Sequence, residues 1–250
     1  MPHNLRTLLA AIIMVSQTTV AGQSLPVPAT RQDDPNIVQL MAQGLYSSIT
    51  SPDLRVLWGL TAAGTLLALP IDRHVMPNRH RLMPEPVARF GDLWGGQAAA
   101  ITILPIIYLL DRSKGAAADE TSRRLKFAFT SLVAVGATTG LLKVAVGRER
   151  PNQASRTSFP SGHTSAAFSV AEVIRTLYGP RAGRPFYLAA IISGISRVHD
   201  NKHYPSDVIA AAGLGIGLVR GFKLAQQWIG LGHSLQLGVS SQSIGLLYYF

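Results

Sequence analysis

Six apolar runs, at 56–71, 93–110, 127–142, 162–178, 186–195 and 207–219, dominate the chain, with polar connections rich in Arg and Lys between them. Runs of this length with no period-two alternation before residue 235 predict helices rather than strands. The expected fold is therefore all-α, a six-helix bundle. Gly59, Gly64, Gly136, Gly140, Gly213, Gly215 and Gly217 lie within the runs and would let helices approach closely, as in membrane bundles. Only 14% of residues are charged and 47% are hydrophobic, against roughly 25% charged in soluble domains, so the bundle is expected to be embedded in a membrane. A span needs about 20 apolar residues, and 93–110 is the run closest to that length.

The ends read differently. Residues 1–22 have the form of a secretory signal, with Arg6 in a polar start, an apolar run from Leu8 to Val15 and small residues before a cleavage expected near Ala21 or Gly22. Pro26, Pro28 and Pro35 mark a linker, and Asn36 is placed to cap a short amphipathic helix carrying Ile37, Val38, Leu40, Met41 and Leu45. Linker and helix thus fill 23–55, the helical domain 56–222, and a tail of unknown role 223–250. The tail ends Leu246-Leu247-Tyr248-Tyr249-Phe250, which is expected to dock on a core, since one strand cannot form a barrel.

The formal net charge is +10. No basic stripe with interleaved aromatics accompanies it, so nucleic acid is not an expected partner; anionic small molecules or lipid headgroups are. With no cysteine, thiolate chemistry and disulfides are excluded.

Three polar segments between the runs carry the chemistry: Lys143-x6-Arg150-Pro151, Pro160-Ser161-Gly162-His163, and Ser196-Arg197-x5-His203-x3-Asp207. Phosphoryl transfer asks for positioning, fixed positive charge and amide donors around three oxygens. Lys143, Arg150 and Arg197 supply cations, and the arginine fork matches phosphate oxygens. Ser161 and Gly162 open an apolar run and so fall at a helix N-terminus, where free amides bind anions. His203, with Asp207 four residues on to hold its far ring nitrogen, is a candidate nucleophile toward phosphorus, giving a phosphohistidine. His163 is a candidate acid for the leaving oxygen. Plainer roles compete: Lys143 as a snorkelling helix-end residue, Asp207 as a helix cap. A metal set of His199, His203 and Asp207 is opposed by Pro205, which interrupts their helix, and by the surrounding positive charge.

Together, in this order and spacing, the three segments resemble the signature of the type-2 phosphatidic acid phosphatase and vanadium haloperoxidase superfamily, over roughly 93–222. The resemblance implies an all-helical fold without metal or cofactor, phosphate bound by Lys143, Arg150, Ser161, Gly162 and Arg197, His163 as acid, His203 as nucleophile and Asp207 as its partner. The expected activity is a phosphatase acting on a lipid-linked phosphate or pyrophosphate, such as a phosphatidate, a polyprenyl pyrophosphate or a lipid A phosphate. The alternatives are a soluble periplasmic acid phosphatase, a vanadate-dependent haloperoxidase and a phosphate-binding protein without turnover. The expected location is a bacterial cell envelope, in the inner membrane with the site facing the periplasm. Basic residues in every connection keep the positive-inside rule from orienting the bundle, and three crossings after a cleaved signal would put Lys143 in the cytosol.

Overall fold

A computed structural model describes residues 36–75, 82–230, 234–239 and 244–249; the expected signal at 1–22 and linker at 23–35 lie outside them. The first helix, α1 (Ile37–Thr50), begins at Asn36 with a reciprocal capping box: the Asn36 side chain accepts from the Gln39 amide, and the Gln39 side chain accepts from the Asn36 amide. A single 3-10 turn, Pro52–Leu54, leads into α2 (Arg55–Val75).

The run 93–110 does not form one helix. It breaks between α3 (Glu85–Gly95) and α4 (Gln97–Ser113), with a bend of 75°. Gly95 and Gly96 adjoin there, and Gly96 is extended (φ −67°, ψ 168°); paired glycines are poor helix formers. The run that looked most like a span in the sequence is thus the bent one.

The remaining helices are α5 (Ala118–Val146), α6 (Gly162–Tyr178), α7 (Pro180–His199) and α8 (Pro205–Gly230). Helix α5 stops at Gly147, whose left-handed φ of 57° lets its amide bond the Lys143 carbonyl. Eight helices are therefore described where six runs and one short helix were expected, the extra one being α3.

Helix α6 is the axis of the bundle. Ala167, Val170, Ala171, Val173 and Ile174 are all buried, and the core joins Val170, Val173 and Ile174 to Ile103 and Ile107 of α4, Phe127 and Val135 of α5, and Val219 and Phe222 of α8. Small residues set the distance between α1 and α8: a Cβ on Gly44 would lie 2.5 Å from the Phe222 ring. Gly213, Gly215 and Gly217 of α8 likewise face Thr61, Ser165 and Trp58, whereas Gly59, Gly136 and Gly140 have nothing within 4 Å. The glycines of α8 thus serve close packing, and those three do not.

Among the described residues, three helical stretches are long and apolar enough to cross a membrane: Pro52–Arg73, Ala118–Val146 and Pro205–Gln227. Leu66 and Leu67 on α2 and Leu141 and Val144 on α5 present apolar side chains outward, up to 84% exposed, which a bilayer would cover. Beyond α8 the tail forms an antiparallel hairpin, β1 (Ser234–Val239) with β2 (Ile244–Tyr249), in the register Ser234↔Tyr249 to Val239↔Ile244. The helical expectation holds for the domain, and the hairpin is an addition to it.

Candidate active site

Four helix ends converge. The C-terminus of α5 brings Lys143, the loop 147–161 brings Arg150, the N-terminus of α6 brings Ser161 to His163, and the α7–α8 junction brings Arg197, His203 and Asp207. The loop and junction are pinned to each other: the Ser158 amide donates to the Arg148 carbonyl, Asn152 to Asn201, and Ser161 to Asp207.

Ser161 is the N-cap of α6, its hydroxyl oxygen accepting from the Thr164 amide and hydroxyl. Its own amide is engaged by the Asp207 carbonyl, 3.2 Å away. The amides left free at this terminus are therefore those of Gly162 and His163, which find no acceptor among the described residues. Gly162 also faces Lys143, whose Cε would lie 3.6 Å from a Cβ there.

Asp207 is fully buried and held from several sides. Its Oδ2 accepts from Ser158 Oγ at 2.5 Å and from the Tyr204 amide at 2.9 Å, and its Oδ1 from Arg148 Nη1 at 2.7 Å. The Tyr204 bond gives Asp207 the capping role at the start of α8. His203 Nδ1 stands 3.6 Å from Asp207 Oδ2, slightly beyond hydrogen-bond reach, and has no other acceptor among the described residues. Burial pushes His203 down from the ordinary histidine range, with Asp207 opposing and Lys143 and Arg150 adding to the fall. It is therefore neutral at pH 7, as a nucleophile must be.

Burial and then the Arg197 guanidinium hold His163 down to about 4, while Asp92 pulls it upward. Arg197 itself is 1% exposed and lies against carboxylates, Asp92 at 2.5 Å and Asp200 at 3.0 Å. Asp92 also approaches His163 Nε2 at 3.2 Å and Lys202 at 3.7 Å. A carboxylate of the chain thus sits on the cations expected to receive phosphate. Arg150 is the contrast: its Nε is buried and has no acceptor among the described residues. Lys143 Nζ donates to the Thr157 carbonyl at 2.5 Å.

Two residues that the sequence alone does not single out complete the arrangement. Asp92 lies on α3, remote from all three segments in the chain. Arg148 sits two residues before Arg150, yet bridges Asp207 to Asp72 of α2, its Nη2 2.8 Å from Asp72 Oδ2, and stacks 4.0 Å over the Tyr204 ring. Asp72 in turn accepts from the Ser206 amide and hydroxyl. The one available sign was an acidic residue at the end of an otherwise apolar run, Asp72, since a carboxylate in such a setting is nearly always paired. Of the set His199, His203 and Asp207, His199 ends α7 and its Nδ1 accepts from the Leu82 amide. Pro205 starts α8, so the three do not share a helix face.

Known proteins are similar to part of this chain. Residues 124–230 match the model of the PAP2 superfamily. The lipid A 1-phosphatase of Rhizobium etli is 36% identical over 104 residues, covering 36% of this chain and 44% of that protein. The lipid A 1-phosphatase of Porphyromonas gingivalis is 40% identical over 79 residues, 30% of this chain and 17% of its own length. The chain thus spans less than half of either relative. The crystal structure of Aquifex aeolicus LpxE superposes with a TM-score of 0.50 at 22% identity, over 64% of this chain and 95% of that one, a likeness of fold.

Proposed function

We propose, from the match of residues 124–230 to the PAP2 superfamily model, that this membrane protein is a phosphatase that removes phosphate from a lipid, without metal, through a phosphohistidine on His203. The observation that carries the reading is Arg150: a buried guanidinium nitrogen with no protein acceptor is stable only opposite an anion. It stands beside Lys143 and His203 and near the α6 amides. The relatives named lipid A 1-phosphatase favour a phosphorylated glycolipid of the lipid A type as substrate.

In the reaction, Arg150, Lys143, Arg197 and the amides of Gly162 and His163 hold the three phosphoryl oxygens. The His203 Nε2 lone pair attacks phosphorus and the phosphorus–oxygen bond to the lipid breaks. His163 donates its proton to the departing oxygen, and Asp207 stabilises the charge gained by His203. Water then attacks the phosphohistidine, giving its proton to His163, and inorganic phosphate leaves. His163 is neutral in the free protein, but an arriving phosphate dianion offsets the Arg197 field and raises its pKa, so substrate binding itself brings the acid into its active form.

The orientation is part of the proposal, with Lys and Arg at both ends of the bundle. At the end remote from the site, the α4–α5 and α6–α7 connections carry Arg112, Lys114, Arg181 and Arg184. At the site end, Arg148 and Arg197 are paired with carboxylates. Lys143, Arg150, Arg156 and Lys202 also stand at the site end, so the positive-inside rule, which counts Lys and Arg whatever their partners, does not choose between the ends; the site is proposed as periplasmic. Helix α2 would enter from the cytoplasm, so a cleaved export signal at 1–22 does not fit this orientation. Alkaline-phosphatase fusions after Arg150 should be active and those after Tyr178 inactive; the reverse pattern rejects the orientation.

The activity is tested by phosphate release from lipid A, phosphatidate and a soluble aryl phosphate, with chelator present. Wild type should release phosphate from the lipids and be inhibited by vanadate, and His203→Ala should abolish turnover. Loss of activity with chelator, or an active His203→Ala variant, sinks the proposal.

A further inference from the structure

A polar pocket lies at the end of the bundle opposite the candidate active site, between α6, α8 and the 3-10 turn. It has a volume of about 320 Å³ and is lined by Asp53, Arg175, Arg220, Lys223 and Gln227 together with two leucines. Beneath it Glu172 is fully buried in the middle of the bundle. Arg175 clamps that carboxylate through Nε and Nη2, and Tyr187 donates to it as well. Arg220 contributes only its Nε, at 3.0 Å. Its two terminal nitrogens, and the Lys223 ammonium, have no protein partner among the described residues. Glu172 therefore acts as an anchor that fixes two arginines at the pocket wall, leaving donors over. Three cations line the pocket against one carboxylate, Asp53, and counting Glu172 below still leaves a net positive charge.

Its depth is informative. Arg220 is thirteen residues along α8 from Asp207, about 20 Å at 1.5 Å per residue, and Arg175 is equally far along α6 from Gly162. Asp53 and Leu54 immediately precede Arg55, where α2 begins, and Gln227 ends the apolar stretch of α8. The pocket thus lies where two membrane-crossing helices end, at headgroup level of the leaflet opposite the catalytic site.

We propose that this pocket is an accessory site for a phosphate-bearing anion, presented there as the headgroup of an acidic phospholipid. The arginine fork left over on Arg220 suits two phosphate oxygens, and Lys223 adds a point charge beside it. Basic pockets at the ends of membrane helices recognise headgroups in this way. The inference is independent of the catalytic chemistry and rests only on the membrane reading of α2 and α8.

The test titrates the detergent-solubilised full chain with a fluorescent phosphatidylglycerol, with phosphatidylcholine and with inorganic phosphate. Phosphatidylglycerol should bind at least about tenfold more tightly than phosphatidylcholine. Lys223→Gln should weaken it about threefold and Arg220→Gln/Lys223→Gln about tenfold or more, while Arg150→Ala, which alters the catalytic pocket, should leave it unchanged. Lys223 bonds nothing in the described chain, so its single variant tests the site without disturbing Glu172. If phosphatidylglycerol alone shows this dependence, the ligand is a lipid; if inorganic phosphate shows it too, the phosphate group suffices, and both outcomes support the site. Equal binding of the two lipids, indifference of every ligand to Lys223→Gln and the double variant, or loss of phosphatidylglycerol binding in Arg150→Ala overturns it.

Discussion

Arg148→Gln separates positioning from phosphate binding within one short loop. Arg148 lies two residues from Arg150, but its two terminal nitrogens bind Asp207 at 2.7 Å and Asp72 at 2.8 Å. The carboxylates are 0% and 4% exposed. Removing one partner of a buried ion pair costs about 3–5 kcal/mol. Here the lower end applies, because Asp207 keeps Ser158 and the Tyr204 amide, and Asp72 keeps both donors of Ser206. A loss of about 3 kcal/mol lowers Tm by about 6–12 °C in a domain of this size. With Asp207 no longer aligned under His203, kcat should fall about 10–100-fold, or about 1.4–2.8 kcal/mol of barrier, while KM stays within about threefold. Arg148→Lys restores one charge but cannot bridge both carboxylates, so it should recover only part of the loss. Steady-state kinetics in detergent micelles and a melt of each variant give these numbers. A loss confined to KM, or an unchanged kcat, would show that Arg148 touches phosphate and refute the positioning argument.

Arg150→Ala should raise KM and the vanadate inhibition constant about 100-fold without lowering Tm in phosphate-free buffer, since its buried Nε bonds nothing in the protein; a large fall in Tm would contradict this. Because a bound phosphate raises His163 from about 4, binding takes up a proton. Vanadate inhibition should therefore strengthen as pH falls towards 4 and weaken as pH rises through the bound-state pKa, and a flat dependence would count against the assignment. Asp92→Asn removes the carboxylate that pulls His163 upward, so the alkaline limb of the kcat profile should move to lower pH by about 0.5–1 unit. Arg197 would also be freed, lowering KM; an alkaline shift would be the wrong sign. Gly95→Ala would drive a Cβ into Ser193 Oγ and to 2.9 Å from the His163 Cβ. Such overpacking should cost about 1–3 kcal/mol and reduce kcat, read by melting and turnover, and an unperturbed variant would show that α3 yields freely.

What was legible in advance depended on range along the chain. The Asn36 cap, the α6 start at Gly162 and the break before Pro205 follow from neighbours within four residues, and the structure has each of them. The three motif segments could be matched to one another because each combines local spacing with a shared demand for phosphate chemistry. Asp92 and Asp72 escaped because their partners, Arg197 and Arg148, lie 105 and 76 positions away in the chain, and no periodicity connects them. The run 93–110 misled because hydropathy averages over glycines, whereas backbone freedom acts at single residues: Gly95-Gly96 permits a bend that the apolar neighbours do not prevent. The tail ends in aromatics that read as a docked segment, yet pairing of Ser234–Val239 with Ile244–Tyr249 makes it a hairpin.

By itself the sequence determined the helical class, the membrane-like composition and which groups have the chemistry expected to meet a phosphate, because these depend on side-chain chemistry and on contacts within a turn. Only the tertiary structure decided which of those groups are free. It assigned the Ser161 amide to Asp207, Arg197 to two carboxylates and Arg148 to a bridge between two more, and it left the Arg150 Nε without a partner among the described residues. The physical reason is that a charge in a buried site is defined by what surrounds it in space. A guanidinium held by two carboxylates and one with a buried nitrogen left unpaired are written with the same letter, and only packing tells them apart.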